Sequence, residues 1–482
     1  MLFRFRQGMD TGMNARRKGP AGWLAGPLLT ACIVLIFLVL PQGQALAEGA
    51  TYYVAPWGNN ASPGTFAQPW ASIDYAAMMA QAGDTIIIRG GIYEEWVETR
   101  RSGAPGAPIT FRAYPGERPI LDGYRLEWGT GFAIAGEHSY IRLEGLTIRN
   151  FSGYGLVLWG SNHHIELVNL EIYGCDTALR LTEFAIPGST VEDVLVEGLY
   201  LHDNALLGMD CSPGPCRRLT IRDTISARNG TGNNTAADGF AFESGEDILV
   251  EHCQAYRNAG DGFDFKTAGT RLSRVLSWGN VRNGIKLWNI GATLENSISR
   301  DNGLAGVVLE AGGTYTLTNN VVAHNALETG DYGMYVAYDP PAAAELRLFN
   351  NIFAFNGSGV YFGEHVLLWE DHNLYYSRED SEIQAAFTGR VDYSRLDLNT
   401  GLWYIETGNG RHSASIDPAF RDPAARDYHL RPDSPAIDAG STAWAPAVDF
   451  DGVPRPQGLA ADIGAYEWIV WGNRVWMPLL QR

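Results

Sequence analysis

Apolar and polar positions alternate in short runs along the middle of this chain, and the runs recur at a near-constant interval. Each begins with a small residue followed by an apolar one: Gly155–Leu156, Ala178–Leu179, Gly208–Met209, Gly239–Phe240, Gly262–Phe263, Gly284–Ile285, Gly306–Val307, Gly333–Met334 and Gly359–Val360, about 22 to 31 residues apart. The first and third residues after the small one are apolar almost every time, as in Phe240/Phe242, Phe263/Phe265, Ile285/Leu287 and Val307/Leu309. Strand alternation stacks those side chains inside and turns the second and fourth residues outward. Between runs lie short β-branched stretches and Asn-rich corners, such as Ile248–Leu249–Val250 and then Arg257–Asn258. With no helical period between them, each repeat predicts one coil of three short strands, and the series predicts an all-β solenoid.

Stacked coils turn the repeat into columns. The outward second position reads Val157, Arg180, Asp210, Ala241, Asp264, Lys286, Val308 and Tyr335. Asp264 and Lys286 are therefore expected side by side on adjacent coils, with backbones about 4.8 Å apart. The position before each small residue forms another column, containing Asp238, Asp261 and Asn283; the outward fourth position carries Glu243, Lys266, Trp288 and Glu310. Asp-Gly and Asn-Gly are ordinary turn dipeptides, so each aspartate taken singly also reads as a turn former. Likewise Asp264 with Lys286 could be a plain surface ion pair, contributing about 0–1 kcal/mol. Turn preference does not account for an outward Asp264, and Asp238, Asp261, Asp264 and Lys286, on three successive rungs, are the candidates for a metal or catalytic site. Trp288, Arg257 and Arg282 are further candidates for substrate contacts. Glu243, Lys266 and Glu310 read as a solvated face.

Composition narrows the partners. The formal charge of −18 makes a nucleic acid an unsuitable partner, and an anionic substrate requires a bridging cation. At the N-terminus, Arg4, Arg6, Arg16, Arg17 and Lys18 precede an apolar run from Trp23 to Leu40 and then Gln44–Ala45–Leu46–Ala47. That order predicts a signal peptide over 1–47, and hence a secreted or cell-surface protein, with an uncleaved membrane anchor as the alternative. Export permits disulfides: Cys211 and Cys216 could close a small loop or remain two thiols flanking a turn, while Cys175 and Cys253 read as small buried residues.

The solenoid is expected over 48–376. The alanine- and methionine-rich stretch from Ile73 to Ala82, ended by Gly83, predicts a helix that caps its open N-terminal end. An irregular connection follows over 377–415, then a module rich in Asp, Pro and Ala over 416–468, and a tail over 469–482. Asp449–Phe450–Asp451–Gly452 begins like a calcium loop, but no twelve-residue acidic pattern follows, and it reads as a turn. A repeat array of this kind is expected to be a monomer.

Tyr52–Tyr53–Val54, Ser62–Pro63–Gly64–Thr65 and Gly83–Asp84–Thr85–Ile86 leading to Arg89–Gly90–Gly91–Ile92–Tyr93 resemble the opening of secreted right-handed parallel β-helix proteins of the polysaccharide lyase type. The segments Ala237–Asp238–Gly239–Phe240, Gly260–Asp261–Gly262–Phe263–Asp264 and Asn283–Gly284–Ile285–Lys286–Leu287 resemble the catalytic core of family 9 pectate lyases. The resemblance covers about residues 52 to 376. It implies that Asp238, Asp261 and Asp264 hold Ca2+ and that Lys286 is the Brønsted base. One departure stands out: the family commonly has two adjacent acids before the second turn glycine, and here the first is Gly260. Asn233, Asn234 or Asn258 could supply an oxygen instead, or belong to an asparagine ladder. The 416–468 stretch resembles the choice-of-anchor module of β-helix proteins, which implies attachment at the cell surface.

The activity so implied is β-elimination on a uronate polymer such as pectate, in which the C5 proton is removed and the 4-linked sugar expelled. Two other readings share the fold. A glycoside hydrolase would need acids flanking the scissile bond, which Asp210, Asp238, Asp261 and Asp264 could provide; a non-catalytic carbohydrate-binding β-helix would need none.

Overall fold

The computed structural model describes residues 49–469 apart from 127–128, 183–187, 232–235, 289–290, 311, 337–343, 378–382 and 389–391. The expected signal peptide and almost all of the expected tail lie outside the described residues. Among those described, no helix is long and apolar enough to cross a membrane.

The repeat seen in the sequence folds as a parallel β-solenoid with three sheets of 13, 12 and 12 strands. One coil runs through Cys216–Arg222, Ile225–Ala227 and Phe240–Phe242, and the next through Gly245–Glu251, Gln254–Tyr256 and Phe263–Phe265, each strand pairing in parallel with its counterpart. The apolar first and third positions stack as expected: the Phe240 and Phe263 rings lie 4.9 Å apart and those of Phe242 and Phe265 4.7 Å, all four buried.

The corners explain the asparagines. After most strands of the sheet that carries Ile225–Ala227, the middle one along each coil, one residue enters the left-handed region, among them Asp203, Arg228, Arg257 and Asp301, each at φ 54°. The asparagine that follows is buried, and its side-chain amide donates to Oδ1 of the next coil's asparagine in a ladder from Asn204 through Asn229, Asn258, Asn280, Asn302 and Asn325 to Asn356. The same Oδ1 accepts the preceding coil's backbone N–H, as in Asn229 N to Asn258 Oδ1 at 3.1 Å. The ladder satisfies polar groups that would otherwise be orphaned inside the turn. It also dictates the recurring glycine. A Cβ on Gly262 would lie 2.3 Å from Ser277 Oγ, 2.6 Å from the Gly284 carbonyl and 2.7 Å from Asn280 Nδ2, so lack of room, rather than a left-handed backbone, requires glycine there.

Both solenoid ends are covered. The N-terminal helix spans Ile73–Met79 and buries Ile73, Ala76 and Ala77, with Ser72 Oγ accepting from Tyr75 N–H. It stops before the expected Ala82 because Asp84 draws the chain into a turn, accepting from the N–H groups of Gln81 and Ala50. At the other end the coils run past Tyr376 to the strand Ala385–Phe387, and the supposed irregular connection contains two short helices, Arg395–Asn399 and Leu402–Thr407. Trp403 closes the core there, stacked on Phe387 at 5.6 Å.

Residues 416–468 lie along the outer face of the middle sheet, where Phe420, Tyr428, Leu430 and Ile463 cluster with Ile298, Val321, Ile352 and Leu374. Arg426 pairs with Asp301 at 2.6 Å, and Asn319 Nδ2 donates to the Asp462 carbonyl at 2.8 Å. Asp449 forms the expected turn, its Oδ1 accepting from Val453 N–H at 2.7 Å. Cys211 and Cys216 are disulfide-bonded, and Cys175 and Cys253 are buried thiols.

Candidate metal and catalytic site

The site lies on the outward face of the sheet carrying Phe240–Phe242, Phe263–Phe265 and Ile285–Trp288. Register places Asp210 beside Ala241, Ala241 beside Asp264, Asp264 beside Lys286 and Lys286 beside Val308, the column expected from the sequence. The column before the glycines is held by a second, shorter ladder. Asp261 N–H donates to Asp238 Oδ1 at 2.6 Å, Asn283 N–H to Asp261 Oδ1 at 2.8 Å, and Ala305 N–H to Asn283 Oδ1 at 3.2 Å. One oxygen of Asp238 and one of Asp261 thus serve the turn, which leaves the others for chemistry.

These outward positions are not solvated. Asp261 is 1 % exposed, Asp264 5 % and Lys286 8 %. The walls come from longer neighbours: Lys266 Nζ is 3.6 Å from Asp264 Oδ2, Arg282 Nε is 4.0 Å from Asp261 Oδ1, and Lys286 Nζ sits 4.3 Å from the centre of the Trp288 ring. Ligand oxygens of Asp238, Asp261 and Asp264 lie within 4.8 Å of one another. Asp261 Oδ2 and Asp264 Oδ1 are buried with no hydrogen-bond partner among the described residues. Lys286 Nζ stands 3.9 Å from Asp261 Oδ2 and from Asp264 Oδ2, beyond hydrogen-bond length.

Without a cation this arrangement resists ionisation. Burial, followed by the charges of Asp261 and Asp264, pushes Asp238 up to about 8. Burial raises Asp264 to about 6 despite the opposing pull of Lys286 and Lys266. Carboxylate oxygens without partners, crowded together and held from water, are a donor set for a hard divalent cation such as calcium, which takes oxygen ligands at about 2.3–2.6 Å. The residues present fit that ion.

Gly260 has a steric explanation. A Cβ there would lie 2.2 Å from Asp238 Oδ1 and about 3 Å from the Ala237 backbone, so Asp238 occupies the space that a side chain at position 260 would need. Gly260→Ala is expected to cost about 1–3 kcal/mol, the scale of forced overpacking, and to weaken calcium binding by displacing Asp238. Urea unfolding and calorimetric titration would check both, and unchanged calcium affinity would show that Asp238 is not a ligand.

The remaining candidates divide. Arg282 stands at the rim and Trp288 beneath the two lysines, the Lys266 ammonium lying 5.2 Å from its ring centre. Arg257 is not brought to the site: it occupies the left-handed corner after the middle sheet, with its guanidinium 4.9 Å above the Trp278 ring. Asn258 belongs to the ladder, and Asn233 and Asn234 lie outside the described residues. Lys266 and Glu243, read as a solvated face, instead form a 2.6 Å ion pair on the site's wall, and burial raises the Glu310 carboxyl. Their signal in the sequence was membership of the same outward column as Trp288. Arg180 and Asp210 pair with each other in the second-position column, both buried, three and two coils before Asp264 respectively.

A parallel β-solenoid with acidic residues gathered on one sheet face defines the class. Residues 52–343 match the model of the Pel9A-like right-handed β-helix region, and the chain belongs to that family. Pectate lyase PEL9 of Emericella nidulans is 28% identical over an alignment covering 53% of this chain and 80% of that protein. The uncharacterized protein YwoF of Bacillus subtilis is 24% identical, over 86% of this chain and 97% of its own. Among solved structures, that of pectate lyase Pel9A superposes with a TM-score of 0.50 at 18% identity, covering 88% of this chain and 97% of that one, a likeness of fold.

Proposed function

We propose that this protein is an exported, calcium-dependent polysaccharide lyase that cleaves a uronic-acid polymer of the pectate type by β-elimination. The observation that carries the reading is the register pair of Asp264 with Lys286 inside a cluster of three carboxylates, of which Asp261 Oδ2 and Asp264 Oδ1 are buried without partners among the described residues. Two relatives, each 28% identical, are named pectate lyases, which supports the same reading.

Asp238, Asp261 and Asp264 would hold the ion. When bound, calcium supplies positive charge that neutralises a uronate carboxylate, stabilises the charge developing as C5 loses its proton, and disfavours the ammonium form of a neighbouring lysine. The chain's own residues do the rest. Lys286, in its neutral form, accepts the C5 proton at Nζ, with the indole of Trp288 fixing its position. Arg282, beside Asp261, and Lys266, beside Asp264, would receive carboxylates of the polymer. The electron pair left at C5 forms the C4–C5 double bond as the C4–O bond breaks, the departing sugar oxygen takes a proton from water, and an unsaturated uronide end remains.

A hydrolase is a poorer fit. Inverting acid pairs stand about 6.5–9.5 Å apart to admit a water, whereas these three acids crowd within 4.8 Å. Asp210 is tied to Arg180. Mass spectrometry of products from polygalacturonate distinguishes the classes, because elimination yields fragments one water lighter than hydrolysis. Hydrated fragments alone would overturn the lyase reading, and intact polymer would favour a binding protein.

The raised acids give the metal a pH dependence. In the metal-free protein Asp238 and Asp264 remain protonated to higher pH than in the unfolded chain. The folded state therefore binds more protons between about pH 4 and 8, and metal-free stability falls as pH rises through that window. Calcium requires the ionised acids, so apparent affinity should climb roughly tenfold per pH unit for each proton displaced up to about pH 8, then level off. Titration calorimetry at several pH values tests this, and a flat profile would contradict it.

A further inference from the structure

A second set of metal-type donors converges at the C-terminal end of the solenoid, away from the acidic groove. Asp371 ends the strand Val366–Asp371, His372 follows it at a left-handed corner with φ 56°, and His412 comes from the loop after the helix Leu402–Thr407. Asp371 Oδ1 accepts the backbone N–H of His412 at 2.6 Å and of His372 at 3.0 Å. This pins the carboxylate and leaves Oδ2 facing the two rings, with His412 Nδ1 at 2.8 Å and His372 Nε2 at 3.8 Å. The imidazoles stack with centres 4.6 Å apart.

The state of His372 is fixed from its other side. Its Nδ1 is 2.7 Å from the Ala439 carbonyl, which can only accept, so Nδ1 carries the hydrogen. In the neutral ring Nε2 then keeps a lone pair, on the side where the Asp371 oxygen lies. An imidazole oriented through one nitrogen by a carbonyl, and open at the other, is the usual arrangement of a metal-binding histidine. His429 is the contrast: its two nitrogens face Asp427 at 2.5 Å and Asp451 at 3.0 Å, an ion-paired ring with no free side.

Two ligands about 2.0–2.1 Å from a tetrahedral zinc ion stand about 3.4 Å apart. The observed 2.8 and 3.8 Å bracket that distance, and His412, 55 % exposed, has room to adjust. We propose that Asp371, His372 and His412 form a binding site for a divalent transition cation of the zinc class, with water completing the sphere. Two imidazoles and one carboxylate favour such an ion over calcium. The donors come from the last long strand, its corner and the loop beyond the closing helices, and His372 is held by Ala439 of the C-terminal segment. The ion would act as a clasp that fastens this segment to the end of the solenoid.

The test is calorimetric titration of zinc chloride into the full chain, with calcium in excess so that the acidic groove is not available. Wild type is expected to bind one zinc with micromolar or tighter affinity and to melt several degrees higher when loaded. His412→Ala, at a largely exposed position, and Asp371→Asn, whose amide oxygen can still accept the two backbone bonds, should each weaken zinc binding at least about a hundredfold while leaving the zinc-free melting temperature close to wild type. Should His372→Ala fail to fold for want of the Ala439 bond, those two variants decide. Undetectable zinc binding by wild type would overturn the proposal, as would undiminished affinity in either variant.

Discussion

Lys286→Ala is expected to lower the rate of polymer cleavage by about 10² or more, the usual scale for a positioned general base, while substrate binding stays nearly unchanged. The reason lies in the geometry. Nζ is held by the Trp288 ring and stands off from both Asp261 and Asp264 at 3.9 Å, so its removal breaks no hydrogen bond of the fold. Lys286→Arg should be almost as impaired, because a guanidinium keeps its charge where the ammonium fits but does not surrender its proton at working pH. Steady-state kinetics of the three proteins on polygalacturonate, with circular dichroism to confirm folding, would check this. A fall in substrate affinity with turnover preserved would assign Lys286 to binding instead.

The second large effect concerns the carboxylates. Asp264→Ala and Asp261→Ala should each abolish calcium binding and, with it, activity. They should differ in stability. Asp261 Oδ1 accepts two bonds from Asn283, so Asp261→Ala removes a rung of the short ladder and is expected to cost about 1–3 kcal/mol. Asp264 Oδ1 has no partner, and its charge helps hold the Asp238 carboxyl above its ordinary range. Asp264→Ala should therefore leave the metal-free protein about as stable as wild type, with Asp238 ionising at lower pH. Calorimetry with calcium, together with urea melts in chelator, separates the two roles; unchanged calcium affinity in both variants would put the ion elsewhere.

Much of this site was legible in the sequence because a solenoid converts spacing into position. Once the glycines fix the repeat, strand alternation decides which side chains point outward, and the parallel register makes Asp264 and Lys286 neighbours without further information. What alternation does not supply is depth. Outward residues are ordinarily solvated, yet here Asp261 and Asp264 are buried, with the long side chains of Lys266, Arg282 and Lys286 beside them. Arg257 was misjudged for a related reason. Its number lies close to Asp261, but a left-handed corner intervenes and turns it onto the middle sheet. The glycines were read as turn residues, whereas Gly262 is required by crowding against the ladder, a contact between coils that no local pattern displays. The stretch 377–415 looked irregular because two short helices and a single strand carry too few residues to show a period. It covers the end of the core with Trp403, Tyr393 and Leu398.

The central claim is that the acidic groove performs elimination with Lys286 as base and needs calcium to do so. The most direct measurement is the ultraviolet absorbance of unsaturated uronide formed from polygalacturonate, followed for wild type in calcium, for wild type in chelator, and for Lys286→Ala in calcium. The account predicts a steady rise in the first, none in the second, and a rise slower by about 10² or more in the third. A rise of equal rate in all three would contradict it.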